Sequence, residues 1–443
     1  MTRPKLIILD DDPTGSQTVH SCFLLLRWDA DTLKTALADD SPLLFILGNT
    51  RARTPAMAAQ VTRDICRQLK QVLGAELLKN HLVISRSDST LRGHYPLEVE
   101  VLNQELGEFD AHFLIPAFIE GGRITENSVH YLLSNGERVA VDQTEFARDS
   151  VFGYQSAYLP DYVQAKTGGR IQREQVVRLT LAQIRAGCDE ILMGLEHNAC
   201  AVVDAVTYAD LNLFAEALYR CHARGKKFLL RSAAGIISAL AQLPPQPVAP
   251  ASMSEYVRGR LPGVVIVGSH VQLSTQQVNH LLQQAAVRGM ELPIGQLLQG
   301  QTPLAVVQTA VSRIRETLQQ GLIPVIYTPR EELQFPDPQT RLDFGRQVAQ
   351  VTSLLVHQLP PEIGFLVSKG GITSNEILSH GLNLTLVRLL GQIAPGINVI
   401  RTPADHPQFP HLPVVIVPGN VGGIDVLTTI VERLRPPANP TRR

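Results

Sequence analysis

Aromatic side chains are scarce in this chain, only 5% of its 443 residues. Neither sign of charge is in excess, since 40 Lys and Arg stand against 41 Asp and Glu. That balance argues against nucleic-acid binding, which needs a basic patch or stripe. The basic clusters are short, Lys226-Lys227 and Arg442-Arg443, and both are expected on solvated surface. Cysteine is sparse too. Cys22, Cys66, Cys188, Cys200 and Cys221 are scattered, odd in number and form no C-x-x-C pair. A disulfide framework or a zinc site is not expected from that pattern. Reduced thiols in a cytoplasmic protein are expected instead. No run approaches the roughly 18 apolar residues of a membrane helix. The start, MTRPKLIILDDD, lacks the apolar core and cleavage site of a signal peptide.

What the chain has is a repeated unit: a short apolar run, a polar or glycine turn, then a helical pattern. The runs include KLIILD, LLFILGN, HLVISRSD, HFLIPAF, CAVVDAV and KFLLRSA, then GVVIVGS, IPVIYTP, IGFLVSKGG and PVVIVPGN. Near-continuous apolar runs suit strands buried on both faces of a parallel sheet. Intervening stretches such as ADLNLFAEALYRCHARG supply crossover helices. The stretch LAQLPPQPVAPASM interrupts the rhythm and reads as a semi-rigid linker. The expected fold is α/β, with two doubly wound, mainly parallel-sheet domains and a cleft between them. The domains are set at residues 1–240 and 263–443, with a Pro-rich linker over 241–262.

In such sheets ligands collect beyond the carboxyl ends of the strands. The first half carries polar turns there. Asp10, Asp11, Asp12, Thr14 and Gly15 follow the first run, and Gly48 to Arg51 follow the second. SRSDSTLRGHYPLE follows the third, PAFIEGGRIT the fourth, and RSAAG a later one. Three adjacent carboxylates repel one another and need a cation or ligand beside them. The plain alternative is a turn or helix cap, with Pro13 at a first helical position. Another alternative is a phosphatase nucleophile at Asp10, because Asp10, Asp12 and Thr14 fit the D-x-D-x-T pattern of haloacid-dehalogenase-like enzymes. In SDSTLRGHYP, Ser87 or Asp88 would cap the helix around LEVEVLNQEL. Capping leaves Arg92 and His94 without a reason. A planar guanidinium suits a carboxylate or phosphate, so Arg51, Arg92 and Arg123 on one sheet edge would grip an anionic acid. His94 is given no role.

The second half repeats a buried strand, a small-residue loop and a helix in VVIVGSHVQLSTQQVNHLL, FLVSKGGITSNEILSHG and VVIVPGNVGGIDVLTTIVERL. Glycine admits an anion close to backbone amides, and a helix N-terminus adds free N–H groups. Gly268-Ser269, Gly370 to Ser374 and Gly419 to Gly423 are therefore candidate phosphate cradles, with Lys369 directly before the second. Thr373 or Ser374, with Glu376 following, reads as a helix start. There is no G-x-x-x-x-G-K-[ST] P-loop, and no G-x-G-x-x-G follows the first strand of either half.

Together these motifs resemble the four-carbon acid sugar kinase family. The likeness spans nearly the whole chain. It runs through DDPTG, DSTLRG, PAFIEGGRIT, ERVAVDQTEFARD, VVDAVTYADL, Gly268-Ser269, GGITS and PGNVGG. It departs at Ile372, where many members have aspartate, at Arg86, where many carry lysine nearby, and at His94, where Asn is usual. The resemblance implies a sugar-acid-binding domain followed by a nucleotide-binding domain. It implies transfer of the ATP γ-phosphoryl group to threonate, erythronate or a 3-oxo-tetronate, with Mg²⁺ bridging the phosphates. Asp12 or Asp88 would take the hydroxyl proton. Asp11, Thr14, Arg51, Ser89, Thr90, Arg92 and Arg123 would bind the acid. Ser269, Lys369, Gly370, Gly371, Ile372, Thr373, Gly419, Asn420 and Gly422 would hold the nucleotide, and no protein metal ligand is assigned. The expected partners are the sugar acid and ATP, with a homodimer left open and neither nucleic acid nor membrane. A non-catalytic sugar-acid-binding protein is the remaining alternative.

Overall fold

Leu6, Ile7 and Ile8 are all fully buried, although neighbouring strand side chains point to opposite faces. Both faces of that strand are therefore covered, as the apolar run predicts. The computed structural model describes residues 3–134, 136–330, 335 and 338–435. Arg442-Arg443 lies outside the described residues. The chain divides into two units, Met1–Pro244 and Pro245–Arg443.

The strands of the N-terminal unit are β1 (Lys5–Asp10), β2 (Phe23–Leu25), β3 (Leu43–Leu47), β4 (His81–Arg86), β5 (Ala111–Ile115), β6 (Arg123–Glu126), β7 (Val129–Ser134), β8 (Glu137–Ala140), β9 (Val177–Leu179), β10 (Ala199–Val203) and β11 (Phe228–Ser232). Eight of them form a parallel sheet in the order β2-β3-β1-β4-β11-β5-β10-β9. The chain leaves β1 toward β3 and then returns to β4 on the other side. That reversal makes the carboxyl ends of β1 and β4 the switch point, where a doubly wound sheet opens a crevice. Asp10 and Arg86, the last residues of β1 and β4, are register partners there.

Crossover helices start and stop where their sequences direct. Helix Pro55–Leu73 has Pro at its first position, and the Thr54 side chain accepts from the Met57 N–H. Helix Tyr208–His222 opens with a reciprocal capping box between Thr207 and Asp210. The helix at Leu97–Leu106 differs from expectation. Its N-cap is Pro96, so neither Ser87 nor Asp88 caps it. Pro13 opens no helix either, since residues 11–18 are turns and bends. Lys226 is not a solvated surface residue. Its ammonium is tucked between Asp110, at 3.1 Å, and the Leu195 carbonyl, at 2.6 Å.

A second sheet, β6-β7-β8, is antiparallel and falls where the apolar-run pattern is silent. Its β6–β7 turn puts Asn127 and Ser128 at positive φ. Asp204 holds that turn, accepting from the N–H groups of Asn127 and Ser128 at 2.7 and 2.8 Å.

In the C-terminal unit the strands are β12 (Val264–Val267), β13 (Val287–Glu291), β14 (Ile323–Tyr327), β15 (Leu366–Lys369), β16 (Leu386–Ala394), β17 (Ile397–Arg401) and β18 (Pro413–Val417). The order β13-β14-β12-β15-β18 is parallel, and β17 and β16 follow as an antiparallel pair. The switch point lies between β12 and β15. The stretch expected as a linker contributes to this unit's core: Met253 is fully buried, with Val248, Tyr256 and Val257 packed against the same cluster.

Candidate active site

The aspartates after β1 have three different environments. Asp10 is buried, accepts from Arg86 at 3.2 Å, and leaves Oδ2 without a partner among the described residues. Gly15 lies so close that a Cβ there would overlap both carboxylate oxygens. Burial pushes the Asp10 carboxyl up to about 7, against the pull of Arg86 and with Asp11 and Asp12 adding to the rise. Asp11 takes a two-pronged bond from Arg51, Nη2 at 2.5 Å and Nε at 3.1 Å, and a third from the Ser87 hydroxyl at 2.8 Å. Asp12 accepts from the Thr14 N–H at 2.8 Å and from the Thr14 hydroxyl, with Arg51 Nη1 3.4 Å from its other oxygen. Burial would raise Asp12, but Arg51 and Arg86 hold it below the usual carboxylate range.

The loop after β4 faces this cluster. Asp88 accepts from Arg92 Nε at 2.8 Å and from the Thr90 hydroxyl, and its other oxygen lies 3.9 Å from Arg51. Burial acts to raise Asp88, yet Arg92 and Arg51 hold it far below the ordinary value. The Arg92 guanidinium rests on the Phe146 ring, 4.9 Å from its centroid, with Asp149 at 3.9 Å. Both come from the TEFARD segment. Arg123 is buried, donates to the Gly121 carbonyl, and leaves Nε without a partner among the described residues. Ser89 and Thr90 are buried in the same loop.

Arg231, near the carboxyl end of β11, ties these pieces together. It donates to Ser85 at 2.7 Å, Ser87 at 2.8 Å and Glu98 at 2.6 Å. Thr50 donates to the second Glu98 oxygen at 2.5 Å. His94, given no role from the sequence, has Nε2 3.0 Å from the Thr50 carbonyl and 3.1 Å from that of Arg53. It pins the two loops together. Arg231 and Glu98 were legible as strand-end and helix residues, but their pairing needs the fold.

At the second switch point the glycine loops interlock. Gly268 and Ser269 lie against Thr373 and Gly370: a Cβ on Gly268 would strike Thr373 Oγ1, and one on Gly370, at φ +109°, would come within 2.9 Å of Ser269 Cβ. Ser274 donates to the Gly419 carbonyl at 3.1 Å, and its Oγ lies 2.9 Å from Ser269 Oγ. Gln277 bonds the carbonyls of Val421 and Gly423, at 3.2 and 3.0 Å. Neither Ser274 nor Gln277 was singled out from the sequence. The helix after β15 begins at Gly371 with Gly370 as its N-cap, so Thr373 and Ser374 lie inside its first turn and do not cap it. Lys369 does not project into open space. Its fully buried ammonium donates to the carbonyls of Pro418 and Gly419 at 2.6 and 3.2 Å. Burial alone lowers it to about 7. Ile372, the second residue of that helix and one of those expected at the nucleotide, has its side chain exposed, at 68%. Arg330 Nη2 donates to the Ser269 carbonyl at 2.7 Å.

Gly370 and Gly422 have positive φ and little room for a side chain, so these turns call for glycine. No group of three or more His, Cys, Asp or Glu side chains able to hold a metal occurs among the described residues. Also among the described residues, no helix is long and apolar enough to cross a membrane.

The family model for a sugar-binding N-terminal domain matches residues 6–240, and that for a nucleotide-binding C-terminal domain matches residues 264–427. The chain belongs to this two-domain family. The resemblance drawn from DDPTG, DSTLRG and the glycine loops is thereby borne out. Among curated members, a D-threonate kinase of Bordetella bronchiseptica is 24% identical, and the match covers 98% of each chain. A D-erythronate kinase of Heliobacterium modesticaldum is 27% identical over 48% of each. A crystal structure of a Haemophilus influenzae protein superposes with a TM-score of 0.63 at 16% identity, covering 97% of this chain and 100% of that one. A Salmonella typhimurium LT2 structure gives 0.67 at 17% identity, covering 97% and 98%. These two support the α/β fold.

Proposed function

We propose that the protein is an ATP-dependent kinase that phosphorylates a hydroxyl of a four-carbon sugar acid, of the threonate, erythronate or 3-oxo-tetronate type. The observation that carries this reading is the Asp–Arg cluster at the N-terminal switch point, in a family whose second domain binds nucleotide. Four guanidiniums, Arg51, Arg86, Arg92 and Arg123, share a site with four aspartates, Asp10, Asp11, Asp12 and Asp88. Arg123 keeps Nε without a partner among the described residues, a donor that suits an anionic acid. Relatives named for threonate and erythronate support the substrate class.

Phosphoryl transfer needs positioning and charge neutralisation more than covalent chemistry. ATP with Mg²⁺ supplies the phosphoryl group and the metal charge that spreads over its oxygens. The glycine loops would present amides to the phosphates, and Lys369 would act by holding the Gly419 loop in place. Arg92 and Arg123 would meet the carboxylate. Arg51 would act mainly by fixing Asp11 and Asp12, since both prongs of its fork are already occupied. Asp12 is the more open of the two candidate bases, with its side chain 17% exposed against 8% for Asp88. Both Asp88 bonds from Arg92 and Thr90 fall on one oxygen. The enclosure of Asp10 by Gly15 and Arg86 weighs against the phosphatase reading.

The test is ADP release from Mg-ATP across a panel of threonate, erythronate and their 3-oxo forms. Turnover with one of them is expected. ATP binding without turnover on any acid would favour the non-catalytic reading. Asp12→Asn is expected to abolish turnover while leaving nucleotide affinity intact.

A further inference from the structure

Three successive carbonyls of the DSTLRG loop each meet a different buried side chain. The Ser89 carbonyl accepts from His130 Nε2 at 2.7 Å. The Thr90 carbonyl accepts from the Tyr154 hydroxyl at 2.8 Å. The Leu91 carbonyl accepts from the Tyr162 hydroxyl at 2.9 Å. All three donors lie in the region from β6 through helix Leu159–Lys166, outside the main sheet. None belongs to a motif that suggested the function.

The donors are themselves fixed. His130 is fully buried, and its other nitrogen lies 2.9 Å from the Thr125 hydroxyl. With Thr125 donating to Nδ1, Nε2 carries the proton that Ser89 receives. Tyr162 stacks on Tyr95 at 5.8 Å and meets the Tyr154 ring edge-on at 5.8 Å. The loop needs such support. Leu91 is buried with φ +67°, a left-handed conformation that is costly for a residue with a branched side chain. A loop free to relax would move Asp88 and Arg92, which lie on either side of the three clamped carbonyls.

We infer that His130, Tyr154 and Tyr162 are positioning residues that hold the Asp88–Arg92 loop in the geometry its side chains need. This rests on the reading of the N-terminal unit as a sugar-acid site. The donors touch the loop's backbone and use none of the polar atoms of Asp88 or Arg92.

The test uses Tyr154→Phe, Tyr162→Phe and their double variant in the full chain. It adds His130→Leu and its conservative counterpart His130→Gln, which can still donate. Hydrogen exchange of amides 88–93 is measured first, because it needs no substrate. Exchange about ten-fold faster in the Phe variants, confined to that loop, is expected. Unchanged exchange overturns the inference, whatever the enzyme acts on. Turnover of the sugar acid is then measured against nucleotide affinity. A fall in kcat/KM for the acid of up to about a hundred-fold is expected, with nucleotide affinity unchanged and His130→Gln less impaired than His130→Leu. Equal loss of acid turnover and nucleotide affinity, in step with a falling melting temperature, would mean general destabilisation and would refute positioning. If the unaltered protein turns over no sugar acid, the proposed function fails while the exchange result still decides this inference.

Discussion

Replacing Arg231 by methionine tests the central strut of the N-terminal unit. The guanidinium and the Glu98 carboxylate are 2.6 Å apart, with side chains only 3% and 7% exposed. Removing one partner of a buried ion pair leaves the other charge uncompensated and typically costs about 3–5 kcal/mol. For a domain of this size each kcal/mol lowers the melting temperature by about 2–4 °C. The expected fall for Arg231→Met is therefore about 6–20 °C. Replacing both residues, Arg231→Met with Glu98→Met, removes the stranded charge. What remains is the lost bonding of the Ser85, Ser87 and Thr50 hydroxyls, each about 0.5–1.5 kcal/mol. The double variant should therefore recover much of the loss. Urea unfolding followed by a signal from the N-terminal unit, such as the single tryptophan, Trp28, measures both. A single-variant loss below about 1 kcal/mol, or a double variant no better than the single, would refute the assignment of a buried, mutually dependent pair. Ser87 also bonds Asp11, so Arg231→Met should lower turnover even where the fold survives.

Further outcomes follow from the same geometry. Asp10 holds its proton up to about pH 7 when folded but only to about pH 4 when unfolded. Its ionisation therefore opposes folding progressively as pH rises from about 4 to 7. The stability of Asp10→Asn relative to the unaltered protein should improve across that window, and a difference independent of pH would mean that Asp10 is ionised throughout. Gly15→Ala places a Cβ onto the Asp10 carboxylate and should destabilise by about 1–3 kcal/mol; a neutral effect in calorimetry would contradict the close packing. Lys369 is lowered to about 7 in the folded chain, against about 10.4 unfolded. Its contribution to stability should therefore rise with pH between those values. Lys369→Met should flatten that rise and weaken nucleotide binding about ten-fold through the two lost bonds to the Gly419 loop, with sugar-acid binding untouched. Titration calorimetry with each ligand separates the two effects.

Much of the architecture was written locally. Each apolar run from KLIILD to PVVIVPGN became a buried strand, because continuous burial leaves few alternatives to a covered parallel sheet. The polar and glycine turns fell at the strand ends for the same reason. Periodicity could not register β6 to β8 or the β16–β17 pair. Those strands are antiparallel and less uniformly apolar, and their pairing depends on anchors such as Asp204. The candidate site was legible as residue types but not as connections. Sequence put Asp10, Asp11 and Asp12 side by side, with Asp11 expected on the acid, Asp12 as a candidate base and Asp10 only in the phosphatase alternative. Tertiary structure gave Asp10 to burial, Asp11 to Arg51 and Asp12 to the Thr14 turn, because each carboxylate's state depends on neighbours 40 and 76 residues away. Lys369 and Ile372 carry the same lesson. Adjacency to a glycine loop placed both among the residues expected at the nucleotide. The fold buried the amine on carbonyls of another loop and left the isoleucine in solvent, since side-chain direction is set by the turn and by what packs against it.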